Sequence, residues 1–167
     1  MSDKETFPST SATLQEHLVR PQHTNAHNTL FGGELVAWVD LAAAACAMRH
    51  CKKAVVTASI DAMHFLAPIP IGWLCTLKAS VNFVHKTSCE VGVRVQTSNP
   101  ITGESYHTAS AYLTFVALDD DGKPTTAPPL IPENDKDRER MNAAETRRAA
   151  RLSLKAELKK RALQKSE

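Results

Sequence analysis

The sequence predicts an α+β domain in which an antiparallel β-sheet wraps around one long helix. Residues 33–50 place apolar side chains at helical spacing in an alanine-rich stretch, and the apolar surface around this helix is almost continuous. The segments that follow alternate apolar and polar residues, a pattern typical of an antiparallel sheet covered on one side. Because the helix needs a surface to bury against and the sheet has one apolar face, wrapping the sheet around the helix satisfies both.

The chain before this helix is predicted to be short and mostly irregular. Residues 1–13 are rich in Ser and Thr and poor in apolar residues, so we expect a flexible N-terminus. Residues 14–19 predict a strand that ends at Pro21, because proline lacks an N–H donor and restricts the residue before it. A polar loop over residues 22–31 then leads to the helix.

Four alternating segments follow the helix, and the short turns between them suit hairpins. They cover residues 55–62, 73–83, 88–96 and 106–115. A proline-rich extended stretch separates them from residues 133–167, which predict a charged helical extension. The predicted domain therefore spans residues 14–132.

Length, charge and cysteine usage exclude several classes of protein. At about 150 residues per domain, 167 residues make one domain, and a net charge of +2 excludes a strongly polyanionic or polycationic chain. The most apolar window, residues 35–48, is interrupted by Asp40 and is shorter than the roughly 18–20 residues of a membrane span. The polar start is not a secretory signal. The four cysteines form no CxxC pair, so we expect reduced thiols in a cytoplasmic protein.

The charge is unevenly distributed along the chain. Residues 1–131 carry a net charge of −2, whereas residues 132–167 carry +4 on the predicted C-terminal helix. A basic helix is compatible with nucleic acid binding. Acidic residues are interspersed in it and aromatic residues are absent, which favours a solvated helix packing on an oligomer, with no nucleic acid partner.

Asp40 is the most informative candidate for chemistry. It interrupts the apolar helix, and a carboxylate in such a setting is costly to bury in ionised form. It is either an exposed or structurally hydrogen-bonded acid on an imperfect amphipathic helix, or a general base or nucleophile in a cleft.

The loop before the helix is a second candidate. It ends in Gly32 and Gly33 at the helix N-terminus, where backbone N–H groups lack intrahelical partners. These groups and the positive end of the helix dipole could stabilise an oxyanion. The alternative is a glycine-rich turn in which Asn28 or Thr29 caps the helix. The loop is neither a GxGxxG nor a Walker sequence.

These residues carry a resemblance to a known family. The blocks are N-x-x-x-T-L-F-G-G-E-L-x-x-W-x-D, V-V-T-A-S-I-D-A-M-H-F-L-A-P-I, N-F-V-H-K-T-S-C-E-V-G-V-R-V and T-F-V-A-L-D-D-D-G-K-P. In this order they resemble the single-hotdog-domain branch of the cytosolic acyl-CoA hydrolases. The resemblance runs from about residue 14 to residue 132 and implies the hotdog fold, a long helix wrapped by an antiparallel sheet.

The resemblance implies an acyl-CoA thioesterase that releases a free fatty acid and CoA. Asp40 would activate water or attack the thioester, and the Gly32 and Gly33 backbone would form the oxyanion hole. Many members have Asn or Asp where this sequence has Thr29, so either Asn28 or Thr29 would be the polar partner residue. That residue would come from the opposing chain of a homodimer, and the dimers would assemble as a trimer of dimers.

The resemblance also implies where the substrate binds. The candidate contacts to the thioester or to CoA are Thr57, Ser59, Lys86, Thr87, Ser88 and Arg94. Packing and hydrogen bonding within the sheet are the favoured explanation for Thr57, and a solvated strand position would equally explain Arg94. CoA would be part of the substrate and product, with no further cofactor and no metal. The alternative is a non-catalytic regulatory protein that binds acyl-CoA. The Asp/His pair and local motif of hotdog hydratases are not found.

Overall fold

A computed structural model of the chain describes residues 6–164 and shows a sheet curled around a long helix. The elements follow in the order α1 (Pro8–Ser11), β1 (Thr13–Leu18), a 3₁₀ turn (Pro21–His23), α2 (Gly32–Cys51), β2 (Ala54–Ile60), β3 (Leu74–His85), β4 (Ser88–Ser98), β5 (Ser105–Leu118) and α3 (Asp135–Gln164). The strands form one sheet in the order β1-β3-β4-β5-β2, and all neighbouring strands are antiparallel. The predicted α+β class, with a long helix and a charged C-terminal helix, is confirmed.

The core lies between α2 and the concave face of the sheet. Its largest fully buried side chains include Leu35 on α2, Leu77 on β3, and Leu113 and Phe115 on β5. The strands supply every second residue to this face because successive side chains of a strand point to opposite sides. No helix among residues 6–164 is long and apolar enough to cross a membrane.

All four cysteines are buried and free. Burial raises the pKa of the Cys46 thiol to about 11 and that of Cys75 to about 12. Thiols of this kind are mostly protonated at neutral pH, and they pack as small apolar side chains.

One side of α2 is less covered than the sequence predicts. The near-continuous apolar surface predicts a helix buried all round, but Leu41 is 62% exposed and Met48 is also exposed. The large apolar side chains exposed around this face and the neighbouring edge of the sheet are Phe31, Leu41, Met48, Val56, Ile60, Phe65 and Leu66. A surface of this composition is typical of a protein–protein interface.

Strand β2 contains a bulge that corrects one prediction. Alternation places Thr57, Ser59 and Asp61 on one face, but the pairing with β5 shifts between Thr57 and Ser59. Before the bulge Thr57 pairs with Phe115, whose side chain points into the core. After it the backbone N–H of Asp61 donates to Tyr112, whose side chain lies on the outer face. An extra residue in one strand reverses the faces that follow, so Thr57 and Asp61 lie on opposite sides of the sheet.

The N-terminal segment contacts the residues that lead into α3. Residues 1–5 of the predicted flexible segment lie outside the described residues, whereas residues 8–11 form α1. The backbone N–H and the hydroxyl of Ser9 donate to the Glu133 carboxylate at 2.9 and 2.7 Å. The first turns of α3 pack through the fully buried Ala144, and residues 152–162 of the helix are exposed.

Candidate active site

The carboxylate of Asp40 is held by a hydroxyl on the neighbouring strand. Asp40 is half-buried on α2, between the fully buried Val39 and the exposed Leu41. The hydroxyl of Thr57 on β2 donates to Asp40 Oδ1 at 2.9 Å. No other donor to this carboxylate is found among residues 6–164. One oxygen is therefore fixed, and the other is available to a water molecule or a substrate.

The N-terminus of α2 offers free backbone N–H groups. Neither Asn28 nor Thr29 caps the helix: the N-cap residue is Phe31, and it makes no side-chain capping hydrogen bond. A Cβ atom at Gly33 would lie 2.4 Å from the exposed Phe31 ring, so glycine lets this ring lie against the start of the helix. Such a helix start, with uncapped N–H groups and the positive end of the dipole, can bind an anionic oxygen.

The polar loop is organised by Asn25, a residue that is not among the candidates predicted from the sequence. Its side-chain nitrogen and oxygen lie 3.1 and 3.2 Å from the Thr29 hydroxyl, and its oxygen also accepts from the His27 N–H at 2.9 Å. Asn28 is exposed and has a φ of 56°, a turn conformation that Asn tolerates. The available signal was the motif itself, because its first residue is Asn25.

An apolar cavity of about 270 Å³ opens beside the N-terminus of α2. It is lined by Leu30, Gly32, Leu35 and residues 65–69. The ring of Phe65 lies 3.5 Å from where a Cβ of Gly32 would be. An apolar chain can enter this cavity with its polar end at the free N–H groups of α2.

The other predicted binding residues lie further from Asp40. Lys86, Thr87 and Ser88 form the β3–β4 turn, with Lys86 exposed at a φ of 51°. Ser88 on β4 and Val56 on β2 both pair with Val116 on β5, which lies between them. Ser88 is therefore level with Val56, the residue before Thr57, and two strand spacings, or about 10 Å, from it. The turn and Asp40 are thus at the same end of the sheet.

Arg94 lies elsewhere. It pairs with Lys78 and Ser110 in the middle of the sheet, and all three line a groove of about 880 Å³ on the outer face, beneath α3. The sheet separates this face from α2, so within one protomer the structure does not bring Arg94 together with Asp40. Ser59 follows the bulge and pairs with Thr114. Among residues 6–164, no cluster of three or more His, Cys, Asp or Glu side chains could hold a metal ion.

A helix wrapped by an antiparallel sheet, with a hydroxyl-bound carboxylate on the helix and a glycine-rich start, defines a hotdog domain of the hydrolase type. Residues 27–104 match the thioesterase superfamily. The chain belongs to this superfamily, as the resemblance predicted.

Relatives and solved structures agree with this assignment. The uncharacterized acyl-CoA thioester hydrolase YkhA of Bacillus subtilis is 41% identical over 78% of this chain and 76% of its own. The acyl-CoA hydrolase of Staphylococcus aureus, solved with butyryl-CoA, CoA and CoA disulfide, superposes with a TM-score of 0.90 at 36% identity over 98% of this chain and 100% of that chain. A hexameric acyl-CoA thioesterase superposes with a TM-score of 0.88 at 37% identity, over 92% of this chain and 98% of that chain.

Mutants of the S. aureus hydrolase have also been solved. In each of three, one residue is replaced by Ala: an Asp, a Thr or an Asn.

Proposed function

We propose that this protein hydrolyses acyl-CoA thioesters to a free acid and CoA. The observation that carries the proposal is the Asp40 carboxylate. It accepts a hydrogen bond from Thr57 of β2 and lies on the helix whose N-terminus has free N–H groups. The family and the names of its relatives support the same reaction. CoA then enters as part of the substrate, not as a resident cofactor.

The carboxylate supports two reaction paths. In the first, Asp40 takes a proton from water, and the water oxygen attacks the thioester carbonyl carbon. The N–H groups of Gly32 and Gly33 stabilise the tetrahedral oxyanion; the C–S bond then breaks, and the proton passes to the CoA thiolate. In the second, an Asp40 oxygen attacks the carbonyl carbon and expels the thiolate, and water then hydrolyses the anhydride.

Asn25 joins the proposed site through its spacing. In the S. aureus hydrolase, the mutated Asn precedes the mutated Asp by 15 residues, and the mutated Thr follows that Asp by 17. Asn25, Asp40 and Thr57 have the same spacing here. We therefore propose Asn25 as the amide that orients water or the carbonyl, with Thr29 holding its side chain and Asn28 shaping the turn.

The arrangement favours a site shared between two protomers. Gly33 and Asp40 are about 10 Å apart along one helix at 1.5 Å per residue, a long span for a single thioester carbonyl. No strand among residues 6–164 pairs with the outer edge of β2, and exposed apolar side chains surround this edge. We propose a homodimer in which the partner's loop and helix N-terminus face Asp40, and the hexameric neighbour supports a trimer of dimers.

Lys86, Thr87 and Ser88 are proposed to hold the anionic CoA end, because their turn lies at the Thr57 end of the sheet. Ser59 follows the bulge and lies on the same face as Asp61, so it would contact a thioester only from a neighbouring protomer. Arg94, on the outer face, would reach only a CoA bound by a neighbouring protomer. The four buried, free cysteines support a reducing, cytoplasmic compartment.

A panel of acyl-CoAs of increasing chain length tests the function. Thiol release is measured for wild type, for Asp40→Asn, and for the matched control Asp119→Asn in an exposed turn. We expect Asp40→Asn to lose about 10²–10⁴-fold in kcat and the control to keep it. Near wild-type turnover by Asp40→Asn would refute the assignment. Acyl-CoA binding without thiol release by wild type would instead favour the regulatory alternative. A monomer in a size measurement would refute the shared site.

A further inference from the structure

A cluster of charged side chains ties α3 to the outer face of the sheet. Arg147 donates to Glu90 Oε1 on β4 at 2.6 Å. One turn later, Arg151 donates to Glu90 Oε2 at 2.9 Å and to Asp61 Oδ2 at 2.6 Å. Arg151 thus links Glu90 on the central strand β4 to Asp61, which directly follows the edge strand β2.

Burial makes this cluster rigid. The Glu90 side chain is only 2% exposed, so its charge depends on the two arginines, and removing a partner from a buried ion pair is costly. The guanidinium of Arg147 also lies 3.6 Å from the centre of the Tyr112 ring on β5. Arg151 is therefore the last residue of α3 that holds the helix against the sheet before the exposed residues 152–162.

The position of Asp61 connects the cluster to the proposed active site. Asp61 directly follows β2, and the bulge between Thr57 and Ser59 lies just before it. On the inner face, Thr57 donates to Asp40; on the outer face, Asp61 accepts from Arg151. The two hydrogen bonds hold opposite sides of the bulged segment.

The bulged segment lies at an edge of the sheet. Among residues 6–164, β2 pairs only with β5, and most of its residues are exposed. Register is weakly specified where neither face is well buried, and a slip of one residue turns every side chain to the other face. A clamp just beyond the bulge keeps Thr57 directed at Asp40.

We propose that Arg151 is a positioning residue for the thioesterase site, acting through Asp61 and the bulge on Thr57. This inference rests on the proposed function. It assigns α3, which lies outside the matched residues 27–104, a role in catalysis without contact to the substrate. Removing the clamp should impair the chemical step more than substrate binding.

Kinetics of full-length variants test the proposal. We expect Arg151→Gln to lower kcat by about tenfold, and by no more than Thr57→Ala does, with KM within about twofold, because small misplacements of catalytic groups are costly. Arg151→Lys keeps the positive charge but loses the planar guanidinium that donates to two carboxylates, so its kcat should lie between those of wild type and Arg151→Gln. The control is Arg161→Gln on the same helix, where the exposed pair with Glu157 is lost, and it should retain wild-type kcat.

A double-mutant cycle separates positioning from a general loss of structure. If Arg151 acts through Thr57, then Arg151→Gln should cost less than about twofold in kcat when Thr57 is already Ala. An equal loss in both backgrounds, or no loss in either, overturns the proposal.

Hydrogen exchange gives a readout that does not depend on activity. Amides of residues 56–60 should exchange faster in Arg151→Gln than in wild type or Arg161→Gln, while those of β3 should not change. If wild type hydrolyses no acyl-CoA, the proposed function fails, and the exchange rates of residues 56–60 alone then test whether Arg151 holds the bulged segment. Unchanged exchange at residues 56–60 overturns the proposal.

Discussion

Replacing Thr57 by Ala removes the one hydrogen bond that the described residues make to the Asp40 carboxylate. The bond is 2.9 Å long and joins two elements, α2 and β2. Thr57 lies off the buried core, so we expect a small effect on folding. The loss should therefore appear in catalysis, through a less well-oriented carboxylate.

The size of the effect follows from the chemistry of this bond. Hydrogen bonds to charged groups contribute about 1.5–3 kcal/mol, and the exposure of Thr57 in the protomer places this one near the lower end. At about 1.4 kcal/mol per factor of ten, kcat should fall roughly tenfold, and by no more than about a hundredfold.

Steady-state thiol release on the best acyl-CoA of the panel measures this loss. Thr57→Ser keeps the hydroxyl and serves as the matched control, with kcat within about threefold of wild type. The reasoning is refuted if Thr57→Ala retains wild-type kcat, or if Thr57→Ser loses as much as Thr57→Ala. If the free energy of unfolding of Thr57→Ala falls by as much as the loss of kcat expressed as a free energy, the role of Thr57 is structural instead.

Two further predictions concern stability. Burial lowers the pKa of His50 below its ordinary 6.5, so the unfolded chain takes up a proton that the native state resists. The free energy of unfolding should therefore fall as pH drops below about 6.5, and urea titrations at several pH values should show a shallower fall for His50→Gln; an equal slope would contradict this. A Cβ at Gly92 would lie 2.5 Å from the buried Asn82 side-chain nitrogen, so Gly92→Ala should cost about 1–3 kcal/mol. Adding Asn82→Ala should recover part of this cost, and wild-type stability of the single variant would refute the contact.

The sequence alone predicts the architecture, because periodicity is a local property. Residues 33–50 can satisfy their apolar pattern only as a helix, and the alternating segments only as strands. The same local pattern singles out Asp40, since a carboxylate in an alanine-rich apolar run needs a reason to be there. Motif order then led to the superfamily that the comparisons confirm.

The local pattern fails where a residue's role depends on a distant partner. Strict alternation placed Thr57 and Asp61 on one face, but the bulge that separates them arises from pairing with β5. The chemistry of the isolated loop pointed to Asn28 or Thr29 and passed over Asn25, because only the closed loop shows that Asn25 binds Thr29 while Asn28 makes the turn.

The C-terminal helix shows the same division. Its charge pattern predicted a solvated helix, and that holds for residues 152–162. The pattern does not reveal that Arg147 and Arg151 meet a buried Glu90 some sixty residues earlier in the chain. Sequence spacing determines which face of a helix or strand a side chain occupies. Tertiary packing decides what that face meets, and so which charges are paired and which hydroxyl reaches Asp40.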